Sequence, residues 1–199
     1  MLRLLLLTLL LIMTACGNKV VEEESATGHP SLLITKSEAH DIRQALGKYP
    51  LLDKSFAATS EFVANALNTP IDVPQPGESG SYEHERHKQN YREMRDAGLL
   101  FQITGDEKYA EFIRAMLLEY GAMYPDLGPH PKAHNQKPGK LFHQMLNEAV
   151  WLTNSAVAYD CIYDWLTPED RATIMTNVFE PMSLIVSIIT VCGQRHRLG

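Results

Sequence analysis

Apolar residues recur at helical spacing through most of residues 36–185, and no stretch alternates apolar and polar positions as a half-buried strand would. This pattern predicts an all-α fold. Two helix starts are marked by their local chemistry: Thr35 and Glu38 form a capping box, and Thr167 precedes a proline and an acidic first turn. The predicted helices are 36–47, 51–67, 84–103, 106–122, 140–165 and 168–185.

The predicted connections alternate between short and long. They are short at 104–106 and 166–168, where consecutive helices are expected to pack antiparallel, and long and proline-rich at 68–83 and 124–139. Alternating lengths of this kind predict antiparallel helical hairpins stacked side by side, with the long loops available to build a site.

The predicted helix 140–165 carries a polar stripe. Lys140, Gln144, Asn147 and Trp151 are separated by four, three and four residues, which places them on one helical face. An amine, two amides and an indole on one face would suit a groove for a charged sugar. The opposite face is expected to be buried, and it holds Leu141, Phe142, Met145, Leu146, Ala149, Val150, Leu152, Ala156 and Val157.

Each long loop adds candidate chemistry. His84, His87 and Tyr91 share a helical face after the first loop. Hydrogen bonding to a neighbouring loop and sugar or carboxylate binding are both open interpretations of the histidine pair, whereas a zinc site would need a further ligand and is not predicted. The second loop, 129–140, contains three lysines and two histidines, including His134, and predicts either a positively charged mouth to the groove or a plain surface loop.

The first residues predict export. Arg3 precedes an apolar run at residues 4–13 that is too short to span a bilayer, as in a secretion signal. Small residues before Cys16 resemble the site at which bacterial lipoproteins are cleaved and lipidated. We therefore interpret 1–15 as a lipoprotein-type signal peptide and 16–28 as a flexible tether, placing the protein in the periplasm or on a lipid anchor; cleavage without lipidation is the alternative.

Charge and cysteine content exclude several classes of partner and site. A formal net charge of −6 argues against a nucleic-acid partner, although a local basic lining could still bind an anionic sugar polymer. With Cys16 assigned to the signal, Cys161 and Cys192 are too few for a disulfide scaffold, and no cysteine pattern indicates a metal or cofactor site.

Several phrases of the sequence resemble one enzyme family. They are His29-Pro30-Ser31-Leu32, Tyr82-Glu83-His84-Glu85-Arg86-His87-Lys88, Thr104-Gly105-Asp106-Glu107-Lys108-Tyr109, Met123-Tyr124-Pro125 and the run from Pro138 to Leu152. In this order and spacing they resemble the exo-acting oligoalginate lyases of polysaccharide lyase family seventeen, related to the heparinase II/III group. The resemblance covers 29–185 and implies the N-terminal portion of an incomplete α/α toroid, with the remaining toroid and a β-sandwich-like domain outside this chain.

The resemblance also implies a reaction, β-elimination on a uronic acid polymer such as alginate. Lys140, Gln144 and Asn147 match groove residues of the family and are expected, with His134, to bind the sugar. The family's catalytic asparagine–histidine pair, usually written His-Asn-His, and its tyrosine have no match here, because residues 186–199 leave the pattern. No catalytic residue is therefore assigned, His196 included, and the chain alone is expected to be inactive.

Two other classes remain open at this point. An exported helical lipoprotein could use the same stripe and loop to bind glycans without catalysis. An α/α-toroid glycoside hydrolase would need two carboxylates across the groove, and Glu148 with Asp160 or Asp164 are the acids nearest the stripe.

Overall fold

All regular secondary structure is helical in the part that the computed structural model describes, residues 28–132 and 139–195, with side chains described as far as residue 187. No strand occurs within those ranges, which confirms the predicted all-α class. The elements are α1 (Lys36–Ala45), α2 (Pro50–Leu67), α3 (Tyr82–Thr104), α4 (Lys108–Met123), a 3₁₀ turn (Tyr124–Asp126), α5 (Met145–Ile162), α6 (Pro168–Ile174), a π-helical turn (Met175–Phe179) and α7 (Glu180–Arg195).

The helix ends follow the local signals in the sequence. The Thr35 side chain accepts a hydrogen bond from the Glu38 backbone N–H and the Glu38 carboxylate accepts one from Thr35 in return, so the predicted capping box is present. Thr167 caps α6 in a similar way by accepting from the Asp170 backbone N–H. Gly105 ends α3 at a φ of 77°, a left-handed conformation that a side chain would disfavour.

Helix α3 is the central element, with α1, α2, α4 and α5 packed around it. It runs antiparallel to α4, because Tyr120 near the end of α4 reaches Asn90 near the start of α3; this confirms the hairpin predicted at 104–106. It runs in the same direction as α5, where a Cβ added to Gly98 would lie 3.0 Å from the Cys161 Cβ. Glycine at position 98 therefore permits the close approach of these two long helices.

The last helical run differs from the single helix predicted at 168–185. A π-helical turn interrupts the α-helical hydrogen bonding between α6 and α7; α6 packs on α4, and α7 packs on α5. Among the described residues, no helix combines the length and apolar character that crossing a membrane requires.

A buried carboxylate holds the N-terminal segment (residues 29–32) on α5. Asp160 is 4% exposed and accepts hydrogen bonds from the backbone N–H groups of Ser31 at 2.7 Å and Leu32 at 2.8 Å. The His29 ring lies 2.5 Å from the same carboxylate and stacks on Tyr163. These contacts fix where the chain enters the fold, at the C-terminal end of α5.

Candidate functional site

The candidate site is built around the buried side chain of Glu148 in the first turn of α5. Its carboxylate accepts hydrogen bonds from the backbone N–H groups of Lys140 at 3.3 Å, Leu141 at 3.1 Å and Phe142 at 3.0 Å. The chain at 140–142 therefore turns around this carboxylate rather than continuing as helix. We call residues 139–144 the wrapped segment.

The predicted helix 140–165 is wrong at its start, because the wrapped segment is not helical. Helix α5 begins only at Met145, and Gln144 before it is extended, at φ −116° and ψ 128°. The backbone N–H groups of 140–142 donate to the side chain of Glu148, so they do not take part in helical backbone hydrogen bonding. Lys140 and Gln144 consequently do not share a helical face with Asn147.

The position of Trp151 also differs from the prediction that it lines a groove. Its side chain is 0% exposed and packs against Tyr120 with ring centroids 4.6 Å apart, so it belongs to the core. Leu146, which the sequence placed on the buried face, is instead 71% exposed. The buried face of α5 is thus the one with Glu148, Trp151 and Ser155, close to the stripe that was expected to line a groove.

Lys140 presents its amine beside Tyr124. The amine nitrogen lies 3.4 Å from the Tyr124 carbonyl oxygen and 5.1 Å from the centroid of the Tyr124 ring. Within the described ranges no acidic side chain forms an ion pair with this amine. Its positive charge is therefore available to an anionic ligand, supported by the electron-rich ring face.

The side chains of Gln144 and Asn147 are both half-buried, and the Asn147 N–H donates to the Gln144 carbonyl at 3.1 Å across the start of α5. Neither side-chain amide has a hydrogen-bond partner in the described part of the protein. Both can therefore donate to a ligand as well as accept from it. The fourth predicted binding residue, His134, lies outside the described residues.

Three histidines lie around the wrapped segment, and a fourth, His143, belongs to it. His84 and His87 lie on one buried face of α3, as predicted, and both rings pack edge-on against Phe142. The His143 ring lies 5.7 Å from that of His84 and 6.1 Å from that of His130, centroid to centroid. Sequence spacing gave no sign that His130 and His143 would join this cluster, because His130 lies in the second long loop and His143 in the predicted helix 140–165.

Two of these histidines, His87 and His130, form hydrogen bonds within the protein. The His87 Nδ1 atom lies 2.9 Å from the Tyr120 hydroxyl, and the His130 Nε2 atom lies 3.1 Å from the Gly77 carbonyl oxygen in the first long loop. No set of three metal-ligating side chains is close enough to hold a metal ion among the residues that the structure describes. For the predicted pair this leaves one hydrogen bond, from His87 to a tyrosine of α4 rather than to a loop, and the His84 Nδ1 atom is buried without a hydrogen-bond partner among the described residues.

Burial lowers the pKa of the imidazoles of His84, His87 and His130. Desolvation lowers the pKa of His87 from 6.5 to about 4, and the neighbouring His84 adds to that effect. Desolvation is also the main cause of the lowered pKa of His84, where Glu85 opposes the shift while Lys88, His143 and His130 reinforce it. For His130, burial and His143 lower the pKa and the Gly77 carbonyl raises it.

We expect acid to destabilise the protein through this cluster. A histidine with a lowered pKa in the folded state binds its proton mainly when unfolded, so stability is full above pH 6.5 and falls between pH 6.5 and about 4. His87 alone contributes about 3 kcal/mol to that loss. Urea unfolding at several pH values should show a flatter profile for His87→Gln, whereas His40→Gln, at an exposed position, should keep the wild-type slope.

The acids that a glycoside hydrolase would need are already engaged. Glu148 holds the wrapped segment, Asp160 holds the N-terminal segment, and Asp164 forms an ion pair with Lys36 at 2.7 Å. Burial raises the pKa of Glu148, with the Tyr124 hydroxyl and the backbone N–H groups opposing the shift. Each of these three carboxylates therefore has a structural partner, and the contacts give no support to the glycoside hydrolase alternative.

Gly139 is the entry to the wrapped segment and has no room for a side chain. A Cβ at this position would lie 2.7 Å from the Glu148 Cδ and 2.9 Å from the Phe142 carbonyl oxygen. We expect Gly139→Ala to lower the free energy of unfolding by about 1–3 kcal/mol, because the backbone must shift around a fixed carboxylate. Thermal unfolding checks this, with Gly128→Ala as the control at an open position.

Comparisons with known proteins agree with the resemblance in the sequence. The chain is 41% identical over 165 residues to an exo-oligoalginate lyase of Saccharophagus degradans, covering 82% of this chain and 22% of that enzyme. It is also 41% identical over 153 residues to an alginate lyase of Stenotrophomonas maltophilia, covering 76% of this chain and 21% of the enzyme. No protein-family model matches the chain.

The chain thus spans about a fifth of the length of these curated relatives. An identity of 41% across four-fifths of the chain confirms the predicted resemblance and disfavours the non-catalytic glycan-binding alternative as its origin. Over most of its length, this chain is related to the oligoalginate and alginate lyases.

Proposed function

We propose that this chain forms the helical, sugar-binding part of an alginate lyase. The observation that carries the proposal is the 41% identity to two enzymes named for alginate or its oligomers, over 82% and 76% of this chain. The groups that would contact the uronate are the Lys140 amine, which has no ion-pair partner among the described residues, and the half-buried amides of Gln144 and Asn147.

The chemistry of β-elimination explains why such groups are needed. Removal of the proton at C5 leaves negative charge that spreads into the adjoining carboxylate, and the C4–O4 bond then breaks as the C4=C5 double bond forms. A cation and hydrogen-bond donors at the carboxylate lower the energy of that charged state. We assign Lys140 to charge stabilisation, and Gln144 and Asn147 to holding the sugar through hydrogen bonds.

The proton-transfer groups of the family are not assigned to this chain. The sequence contains no His-Asn-His segment, and the buried tyrosines beside the wrapped segment, Tyr120 and Tyr124, have pKa values raised by burial. A phenol that resists ionisation and is closed to solvent is unsuited to accept a proton from a sugar. We therefore expect the chain alone to bind oligouronates without releasing unsaturated product.

Calorimetric titration with a mannuronate trimer tests the proposal. Binding by the wild-type chain should weaken about tenfold in Lys140→Ala, from loss of one charge-assisted contact. Lys54→Ala, which removes an exposed lysine on α2, should bind like the wild type. Absence of binding by a folded wild-type chain, or equal affinity in Lys140→Ala, would reject the proposed function. Ultraviolet absorbance of the mixture checks for unsaturated product.

We also propose that the protein is exported, with residues 1–15 as the signal and 16–28 as a tether to a lipid on Cys16. The short apolar run and the small residues before Cys16 support this assignment. Incorporation of labelled palmitate in a bacterial host should be lost in Cys16→Ser. A protein that stays in the cytoplasmic fraction at full length would contradict export, and one that is cleaved without label would contradict lipidation.

A further inference from the structure

We propose that Glu148 is a positioning residue for sugar binding: its buried carboxylate fixes the wrapped segment and the Tyr124 ring, and through both of them the place of the Lys140 amine. This inference rests on the proposed function, because it assigns a cause to the geometry of the binding groups. Glu148 itself is 0% exposed and would not touch the sugar.

The hydrogen-bond pattern around Glu148 requires a group that only accepts. One carboxylate oxygen accepts from the Tyr124 hydroxyl at 2.8 Å and from the Lys140 N–H at 3.3 Å, and the other from Leu141 and Phe142. An ionised carboxylate has about four lone-pair sites for such donors. An amide in its place would point an NH₂ group at one set of donors, so glutamine cannot reproduce the arrangement.

Two routes connect this carboxylate to the Lys140 amine. The first runs through the backbone, because the N–H of Lys140 itself donates to Glu148. The second runs through Tyr124, whose hydroxyl donates to Glu148 while its ring and carbonyl oxygen face the amine. A change at Glu148 therefore moves both the chain that carries the amine and the aromatic surface against which the amine lies.

Asp160 offers a matched control on the same helix. It is also a buried carboxylate that accepts from two consecutive backbone N–H groups, those of Ser31 and Leu32, but the segment it holds carries none of the sugar-binding groups. If Glu148 served stability alone, its loss and the loss of Asp160 would affect binding alike. A positioning role predicts that they differ.

The experiment compares Glu148→Gln and Asp160→Asn in the full chain by titration with the mannuronate trimer and by amide hydrogen exchange. In Glu148→Gln we expect affinity to fall about tenfold, with faster exchange confined to the amides of 140–142. In Asp160→Asn we expect wild-type affinity, with faster exchange confined to Ser31 and Leu32. Equal affinity in Glu148→Gln, or equal losses in both variants, would overturn the positioning role.

Tyr124→Phe keeps the experiment decisive if Glu148→Gln does not fold. This variant removes one donor from Glu148 and keeps the ring beside Lys140, so we expect affinity to fall a few-fold and exchange at 140–142 to rise; no change in either would overturn the inference.

Failure of the proposed function and failure of the positioning role give different results. A wild-type chain that does not bind the trimer rejects the proposed function, whereas wild-type binding with unaffected variants rejects the positioning role alone.

Discussion

Replacing Trp151 with alanine is expected to lower the free energy of unfolding by about 3–5 kcal/mol, the range for removing a buried aromatic side chain. The indole is 0% exposed and packs edge-on against Tyr120 at the contact between α4 and α5. The surrounding helices cannot close the space it leaves, because they are fixed by their own contacts with α3. Urea unfolding followed by circular dichroism measures the change.

The control for this prediction lies on the same helix. Leu146 is 71% exposed, so Leu146→Ala should change the free energy of unfolding by about 0.5 kcal/mol or less. The sequence pattern made the opposite assignment, with Trp151 in a groove and Leu146 in the core. A stable Trp151→Ala that loses sugar binding, beside a destabilised Leu146→Ala, would show that the pattern was right and the core described above wrong.

Arg86→Met is the second variant with a large expected effect, a loss of about 3–5 kcal/mol in the free energy of unfolding. The Arg86 guanidinium makes two hydrogen bonds to Glu93, at 2.7 and 3.2 Å, and the Glu93 side chain is only 2% exposed. Among the described residues, methionine would leave that buried carboxylate with a single remaining donor, the Gln89 amide at 2.8 Å. Chemical denaturation at neutral pH gives the measurement.

Two further variants serve as controls for the Arg86→Met prediction. The double variant Arg86→Met with Glu93→Leu should recover much of the lost stability, because it removes the unpaired charge as well. Lys36→Met breaks an ion pair whose two side chains are 66% and 56% exposed, so it should lose at most about 1 kcal/mol. Similar losses in Arg86→Met and Lys36→Met would contradict the structural account of the buried pair.

Much of the fold follows from local signals in the sequence. The capping residues Thr35 and Thr167 and the left-handed Gly105 mark helix ends that the structure reproduces within a few residues. The predicted toroid remains a prediction from family resemblance, because the described residues show stacked helices and no closed ring. The π-helical turn at 175–179 had no local signal, since it depends on how the last helices pack on α4 and α5.

The candidate site was harder to predict. Lys140, Gln144 and Asn147 were identified as exposed polar groups, and all three are half-buried in the structure. The predicted arrangement of these three residues on one helical face was wrong. Helical periodicity cannot show that the side chain of Glu148 accepts hydrogen bonds from the backbone of the preceding residues 140–142. Trp151 was part of the predicted stripe and Glu148 lies beside it on the helix, so only burial distinguishes these two residues from binding residues. Burial is a property of the tertiary structure.

The most direct test of the binding site is a map of amide chemical-shift changes in the isotope-labelled chain as a mannuronate trimer is added. We predict saturable changes that are largest at Lys140, Gln144 and Asn147 and small along α1 and α2, which pack against α3. Saturable changes centred away from the wrapped segment, or none at millimolar trimer with the chain still folded, would contradict the account.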